Sequence, residues 1–288
     1  MTAGNPTIRE LLAAGIQRLQ RESAHGHGSR PELDAEVLLA HLLAVPRSHL
    51  RSHPEQPVAA TAASYRSLVE RRARGEPLAY LTGTREFWSL PFRVTPAVLV
   101  PRPETELLVE RALALLPAPQ GRAADLGTGS GAVALALASE RPHWQIIATD
   151  LSVEALAIAR ANAAHLTISS VDFRHGSWFA PLAGERFDLI LSNPPYVAAD
   201  DPALADAALA YEPRLALTPG PDALACLRAI ACDAPQHLNH GGWLLLEHGP
   251  TQAAALRHEL VLAGFTSVRS QRDLAGHERV TEGQYDPV

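Results

Sequence analysis

From residue 123 onward, short apolar runs alternate with longer amphipathic segments, and this alternation restricts the possible folds more than any other feature. The runs are predicted strands and the segments between them are predicted helices. Such an alternation indicates an α/β fold with a mostly parallel sheet, whose ligands lie at the C-terminal ends of the strands. The predicted strands are 123–126, 145–149, 171–175, 187–191, 243–247, 266–271 and 279–285, and the predicted helices are 132–140, 153–165, 222–234 and 251–263.

The first 79 residues have a different pattern, typical of a small helical bundle. Thr7 and Glu10 have the spacing of a capping box, and further helices are predicted over 31–43 and from Thr61 to Gly75. Residues 80–101 read as extended and predict a β-hairpin that links two domains. The predicted division is therefore a bundle over 1–79, a hairpin linker over 80–101 and a sheet domain over 102–288.

Composition and charge exclude several classes of protein. No run of about 18 apolar residues is present to span a bilayer, and residues 1–6 do not have the character of a signal peptide, so we expect a cytoplasmic protein without membrane contact. After Tyr80 the chain has fifteen arginines and 23 acidic residues, and this negative balance argues against stable nucleic-acid binding. Cys226 and Cys232 are the only cysteines and predict reduced thiols, with no metal site.

A glycine-rich segment, residues 125–131, follows the first predicted strand of the sheet and precedes a helix. Glycines at this turn let the backbone approach a ligand, and the helix N-terminus offers free N–H groups. The spacing is G-x-G-x-G, whereas a dinucleotide loop normally has G-x-G-x-x-G. The tighter form with a preceding acid resembles S-adenosylmethionine methyltransferases, in which a carboxylate can meet the ammonium group of the ligand. The candidate cofactor-binding residues here are Asp125, Gly127, Thr128, Gly129, Ser130 and Gly131.

Two residues at the ends of the next strands are further candidates for cofactor binding. Asp150 ends the second predicted strand, where an acid can bind both ribose hydroxyls of a nucleotide, or alternatively cap the helix that begins near Ser152. Trp178 follows the third strand, where it can stack on an adenine or pack in the core. For both residues we favour the ligand role.

The segment Asn193-Pro194-Pro195-Tyr196 follows the strand 187–191 and carries the candidate catalytic residues. The prolines lack N–H groups and hold the backbone extended, so the segment offers hydrogen-bond acceptors without donors. Such a site suits a group that brings its own N–H bonds, namely an amide or an exocyclic amine. Asn193 and Pro194 would accept these bonds, Pro195 would keep the segment rigid, and Tyr196 would pack on the substrate. Alternatively, the segment is only a turn.

The glycine loop together with Asn-Pro-Pro-Tyr resembles the amino methyltransferases. Over residues 33–285 the chain is similar to the family that methylates N5 of the glutamine in the Gly-Gly-Gln motif of peptide-chain release factors. The segments that carry this similarity are 74–83, 86–92, 99–106, 211–213, 247–249 with Gln252, and 273–280. Many relatives have an acid where this chain has Ser177, so Ser177 is not included in the predicted site.

The resemblance implies a class I, Rossmann-like methyltransferase domain with a seven-stranded sheet. It implies S-adenosyl-L-methionine as cofactor, S-adenosyl-L-homocysteine as product, a release factor as protein substrate and a monomeric enzyme whose bundle recognises that substrate. Four alternatives remain. Two are other methyltransferases, one for a glutamine of a ribosomal protein and one for nucleic-acid amines, which the acidic body disfavours. The third is a nicotinamide oxidoreductase, which the loop spacing disfavours, and the fourth is a nucleotide-binding protein without catalysis whose bundle is an interaction module, which would leave Asn-Pro-Pro-Tyr without a purpose.

Overall fold

The computed structural model describes residues 5–23, 30–116 and 118–286. The chain forms two compact units, Met1–Gly83 with Ala205–Tyr211, and Thr84–Leu204 with Glu212–Val288. The boundary between the units, after Gly83, falls within residues 80–101. No helix in the described ranges is long and apolar enough to cross a membrane. Of residues 1–6, on which the signal-peptide argument depends, the first four lie outside the described residues.

The first unit is helical. Its helices are α1 (Ile8–Ser23), α2 (Pro31–Leu43), α3 (Arg47–Ser52), α4 (Ala59–Ala73) and α5 (Leu78–Thr82). The predicted capping box is confirmed, because the Thr7 N–H donates to Glu10 at 2.9 Å and the Glu10 N–H donates to the Thr7 hydroxyl at 3.3 Å. The buried core of this unit is built on aliphatic side chains around Tyr65.

The helical unit differs from the sequence analysis in three respects. The sequence analysis missed α3 and α5, because helices of six and five residues are too short to show a periodic apolar face. For the same reason the extended pattern predicted from Tyr80 begins only at Thr84. In addition, α4 begins at Ala59 after an N-cap at Val58, so Thr61 is not its cap.

The second unit begins with a hairpin of β1 (Thr84–Phe87) and β2 (Leu90–Arg93). Trp88 and Ser89 form its turn, with φ of 53° and 58°. Two left-handed residues in a two-residue turn match the twist of the flanking strands. A short 3-10 helix, Pro103–Thr105, then leads into α6 (Glu106–Leu115).

The main sheet has seven strands in the order β5-β4-β3-β6-β7-β9-β8. Neighbours are parallel from β5 to β7, and β9 is antiparallel to both β7 and β8. The strands are β3 (Arg122–Leu126), β4 (Gln145–Asp150), β5 (Val171–His175), β6 (Phe187–Ser192), β7 (Leu238–Glu247), β8 (Phe265–Arg272) and β9 (Glu278–Tyr285). The connecting helices are α7 (Ala132–Glu140), α8 (Val153–His165), α9 (Arg214–Leu217), α10 (Ala225–Asp233) and α11 (Ala253–Leu262).

The strand order reverses at β3, which lies between β4 and β6. Leu126 at the end of β3 is in register with Thr149 on one side and Ser192 on the other, so the loops after all three strands leave at one edge. Buried apolar clusters cover both faces of the sheet. A doubly covered parallel sheet places its ligand site at such a reversal point.

Candidate active site

A cavity of about 380 Å³ opens at the C-terminal ends of β3, β4 and β6. Its wall contains nine of the twelve residues that the sequence analysis selected: Asp125, Gly127, Thr128, Gly129, Ser130, Asp150, Trp178, Asn193 and Pro195. Gly131, Pro194 and Tyr196 are not part of the wall. The tertiary structure therefore brings the glycine loop and the Asn-Pro-Pro segment to one cavity, although they are far apart in the sequence.

The glycine loop is fixed by hydrogen bonds to the neighbouring strand. The N–H groups of Gly127 and Thr128 both donate to the Thr149 carbonyl, at 2.8 and 2.9 Å. Gly131, at the N-cap of α7 with φ of 82°, has another role, because a Cβ there would lie 3.2 Å from the Ala159 Cβ of α8. The third glycine thus permits α7 and α8 to pack closely, which explains its absence from the cavity wall.

Asp125 is a buried carboxyl group at the base of the loop. Its Oδ2 accepts a hydrogen bond from the Thr128 hydroxyl at 2.6 Å. Burial raises the pKa of Asp125 to about 6, although the bond from Thr128 acts in the opposite direction. A carboxyl group at this position has little solvent to screen its charge, so its charge state responds to a cation in the cavity.

Asp150 binds the backbone on both sides of the cavity. Its Oδ2 accepts from the Gly129 N–H at 2.8 Å, and its Oδ1 accepts from the Ser152 N–H at 2.8 Å. Ser152 is itself the N-cap of α8. The helix cap is therefore Ser152 and not Asp150, and each Asp150 oxygen retains a lone pair for a second donor. Burial raises the pKa of this carboxyl group.

Trp178 adopts a strained backbone conformation at the cavity. Its φ is 43°, in the left-handed region that a bulky residue rarely occupies. The Trp178 carbonyl accepts from the Thr149 hydroxyl at 3.1 Å, which holds the residue in place. The ring lies over Gly127, whose absent Cβ leaves the space for it. Strain at such a position is typical of a functional site.

Asn193 lies at the cavity wall, and its side chain is oriented by Thr105. The Asn193 Nδ2 group donates to the Thr105 Oγ1 at 3.2 Å, which leaves the Oδ1 oxygen as the acceptor that this side chain can offer. Thr105 is 5% exposed and belongs to the 3-10 helix before α6. The sequence analysis did not select Thr105, because nothing in its local pattern shows that it faces a loop 88 positions away.

Tyr196 is held from the side of β7. Its hydroxyl donates to the Oε1 of Glu247 at 3.2 Å, and its carbonyl accepts from the Nε2 of Gln252 at 2.8 Å. Glu247 is fully buried, and burial raises its pKa to about 7. The segment 247–249 with Gln252 was noticed in the sequence only as part of a resemblance, without a role.

Two other segments of that resemblance meet in the second unit. The Arg102 guanidinium donates to the Glu212 Oε1 at 2.5 Å, and the Glu212 Oε2 accepts from the Val100 N–H at 3.3 Å. Arg102 also lines the cavity. This ion pair fixes the segment before α6, and therefore Thr105, beside the cavity.

The fold and the site together define a class I, Rossmann-like methyltransferase domain. Two family models match the chain, "PrmC N-terminal domain" over residues 10–83 and "Methyltransferase small domain" over residues 103–220. Solved structures with the same fold include a methyltransferase from Pyrococcus furiosus, with a TM-score of 0.53 and 19% identity, which covers 76% of this chain and 99% of that one. The hMettl16 catalytic domain in complex with MAT2A 3′UTR hairpin 6 has a TM-score of 0.58 at 18% identity, over 76% of this chain and 81% of that one.

Curated relatives define the family. The release factor glutamine methyltransferase of Xylella fastidiosa strain Temecula1 is 50% identical over 97% of this chain and 98% of its own length. The protein of the same name from Vibrio cholerae is 48% identical over 97% of both chains, and that from Escherichia coli K12 is 46% identical over 95% of this chain and 97% of its own. The chain belongs to the release factor glutamine methyltransferase family.

Proposed function

We propose that the chain transfers a methyl group from S-adenosyl-L-methionine to the side-chain N5 of the glutamine in the Gly-Gly-Gln motif of a peptide-chain release factor. The family membership supports this substrate. The observation that carries the chemistry is Asn193 at the cavity wall, with its Nδ2 group on Thr105 and its Oδ1 left to accept an amide N–H.

The cavity fits the cofactor on three points of structure. Asp125 offers a buried carboxylate for an ammonium group, and Asp150 offers lone pairs on both oxygens for the ribose hydroxyls. Trp178 provides an aromatic face over Gly127, where a side chain would close the space. A volume of about 380 Å³ lies within the range of small-molecule sites. The backbone at Thr128, Gly129 and Ser130 completes the wall.

When bound, the cofactor supplies an electrophilic methyl group on a positively charged sulfur. The Asn193 Oδ1 and the Pro194 carbonyl each accept one N–H of the substrate amide, so the nitrogen is held with its lone pair toward that methyl group. The same two acceptors stabilise the positive charge that develops on the nitrogen during transfer. Transfer would form the N–CH₃ bond as the S–CH₃ bond breaks, and S-adenosyl-L-homocysteine would leave. No base is needed before transfer, since the proton becomes acidic only afterwards and is then lost to solvent.

The remaining residues of the segment restrict the substrate. Pro195 lines the cavity and keeps the backbone rigid. The hydroxyl of Tyr196 is engaged with Glu247, so the ring is the part of this side chain that would pack on the glutamine. Pro194 and Tyr196 lie outside the cavity wall and act from its border.

The rest of the chain serves the same reaction in this proposal. The helical unit recognises the release factor, the segment 80–101 connects it to the catalytic domain, and the enzyme acts as a monomer in the cytoplasm without binding nucleic acid stably. The acidic character of the chain after Tyr80 supports the last point.

The test is the transfer of labelled methyl groups from S-adenosylmethionine to a purified release factor. A release factor with Gln→Ala in its Gly-Gly-Gln motif is the control for the site. We expect label on the normal factor only. Label on a ribosomal protein or an RNA, and on neither form of the release factor, would contradict the proposed substrate. Only the methylation of an amino or amide nitrogen would then remain of the proposal.

The role of Asn193 is tested with Asn193→Ala. Its turnover should fall about 100-fold or more, because the lost interaction acts in the transition state, while the Kd of the cofactor changes little. Near-normal turnover would remove Asn193 from the mechanism.

A further inference from the structure

The loops that follow β6 and β7 leave the sheet side by side. The two strands are parallel neighbours, with Ser192 in register with Leu246. Asn193 is the first residue after β6, and Glu247 is the last residue of β7. The segment that begins at Glu247 therefore leaves the sheet next to the Asn193–Tyr196 loop, and residues 247–252 are not part of the cavity wall.

Tyr196 is bound at both of its ends by this segment. Glu247 accepts from its hydroxyl, and Gln252 donates to its carbonyl. The amide of Gln252 is itself oriented, because its Oε1 accepts from the Gly249 N–H at 2.9 Å. A Cβ on Gly249 would lie 3.2 Å from that oxygen, so the glycine leaves room for the contact. The Gln252 amide thus connects the two loops through two hydrogen bonds, one to Gly249 and one to Tyr196.

Thr105 orients Asn193 from the segment before α6. The Nδ2 group of Asn193 donates to the Thr105 Oγ1 at 3.2 Å, and Thr105 is buried. The Thr105 oxygen therefore uses a lone pair in its contact with Asn193. That lone pair selects the NH₂ end of the Asn193 amide and turns the Oδ1 away from Thr105.

The carboxyl group of Glu247 does not evidently stabilise the fold. Its side chain is completely buried, and its Oε2 has no hydrogen-bond partner among the residues that the structure describes. Burial of a carboxyl group with incomplete hydrogen bonding costs free energy, so an apolar residue would serve a purely structural position better. A role in orienting the catalytic loop accounts for the carboxyl group.

We propose that Thr105, Glu247 and Gln252 are positioning residues for methyl transfer. Thr105 sets the orientation of the Asn193 amide, and Glu247 and Gln252 fix the Tyr196 end of the loop. This inference rests on the proposed function, since it assigns Asn193 as the acceptor of the substrate amide.

The Asn193 half is tested with Thr105→Val, which keeps the shape of the side chain and removes the hydroxyl, and with Thr105→Ser, which keeps the hydroxyl. Thr105→Val should lower kcat roughly 10- to 100-fold, as expected for a misplaced catalytic group, with the cofactor Kd within threefold of the wild type. Thr105→Ser should retain most of kcat. Glu247→Gln, which changes the acceptor of the Tyr196 hydroxyl, should also lower kcat.

The matched control is Glu282→Gln on the neighbouring strand β9. Glu282 is also fully buried, but its partners are Arg111, Arg269 and Gln271. This variant should lose stability and keep its kcat at temperatures where it is folded. A kcat of Thr105→Val equal to that of the wild type would overturn this half of the proposal, as would equal losses in Thr105→Val and Thr105→Ser.

The Tyr196 half is tested without turnover, by hydrogen exchange of the backbone over residues 193–199. Gln252→Met should speed exchange there at least tenfold, whereas Gln271→Met, which removes an amide bonded to Glu282, should leave it unchanged. Wild-type exchange in Gln252→Met would overturn this half. Methylation by the wild-type enzyme is measured in the same series. If the proposed substrate is wrong, every form of the enzyme is inactive. The exchange rates still show in that case whether Gln252 fixes the loop.

Discussion

The indole ring of Trp178 lies against the backbone of Gly127, so closely that a Cβ on Gly127 would be 3.2 Å from the ring atom Cζ3. Both residues have positive φ, 43° for Trp178 and 74° for Gly127. The side chain that walls the cavity therefore depends on a glycine in the loop after a different strand. The pair links the glycine loop to the proposed adenine face.

Gly127→Ala should reduce cofactor affinity about tenfold or more, because the new methyl group strains the backbone and displaces Trp178. Gly184→Ala is the control. Gly184 has a similar φ of 77°, and a Cβ on it would have no neighbouring atom within 4 Å. Gly184→Ala should show the backbone strain alone. Its free energy of unfolding should fall by about 1 kcal/mol, and its affinity for the cofactor should be normal. Calorimetric titration with the cofactor distinguishes the two, and equal affinities would contradict the prediction.

Asp150→Ala should weaken cofactor binding roughly 10- to 100-fold and lower the free energy of unfolding by about 1–2 kcal/mol. The variant loses an acceptor for the proposed ribose contact and for the N–H groups of Gly129 and Ser152. Ser152→Ala is the comparison, since it leaves Asp150 in place and removes the bond from the Ala155 N–H at 3.0 Å and the bond to Glu154 at 3.1 Å. It should lower stability with a much smaller change in affinity. Unchanged affinity in Asp150→Ala would contradict the ribose assignment.

The pKa of Asp125, raised by burial to about 6, predicts a pH dependence of stability. Between about pH 4 and pH 6 the folded state binds more protons than the unfolded chain, so the free energy of unfolding falls as pH rises through this window and stays lower above it. Asp125→Asn cannot ionise and should escape this loss, on the order of 2–3 kcal/mol. Denaturant unfolding without cofactor, at pH 4.5 and 7.5, measures the difference between wild type and variant.

Two results bear on this prediction. Parallel pH profiles of the two proteins would contradict the raised pKa. Cofactor affinity should change in the opposite sense, because Asp125→Asn removes the charge proposed to meet the ammonium group. A variant that is more stable and binds less tightly at pH 7.5 would support both statements.

Asn162→Leu should lower the free energy of unfolding by about 3 kcal/mol or more, because it leaves buried backbone groups without partners. The fully buried Asn162 amide accepts from the Arg93 N–H at 2.7 Å and donates to the carbonyls of Arg93 and Ser130 at 3.0 and 2.9 Å. Asn239→Leu is the control, since Asn239 is half-buried and its Nδ2 bonds only to Asp188. Thermal unfolding compares them, and equal losses would contradict the prediction.

The secondary structure of the sheet domain was predictable because its signals are local. Helices 132–140 and 153–165 and the strand 171–175 have the predicted bounds, since periodicity, capping by Ser152 and the glycine turn act within a few residues. Strand β7 was predicted from residue 243 and begins at Leu238. Polar residues such as Asn239 hid its first half. The short helices α3 and α5 were missed because they have no periodic face.

The candidate site was predictable to the extent that its residues lie in motifs. The glycine loop, Asp150, Trp178 and the segment from Asn193 to Tyr196 follow the ends of strands, where parallel sheets place ligands. The residues that were missed hold these motifs through distant contacts. Each of these residues contacts a segment that is distant in the sequence, and no pattern among neighbouring residues predicts such contacts. They are Thr105, Asn162, Glu247 and Gln252.

The sequence by itself determined the class of fold, the edge of the sheet that bears the site, and the family. Periodicity, turn residues and motif spacing are properties of neighbouring residues, and they survive without tertiary contacts. Only the tertiary structure decided that Asn193 presents its Oδ1, that Gly131 serves helix packing, and that Tyr196 is bound by Glu247 and Gln252. These outcomes depend on burial and on hydrogen bonds between segments that the folded sheet brings together.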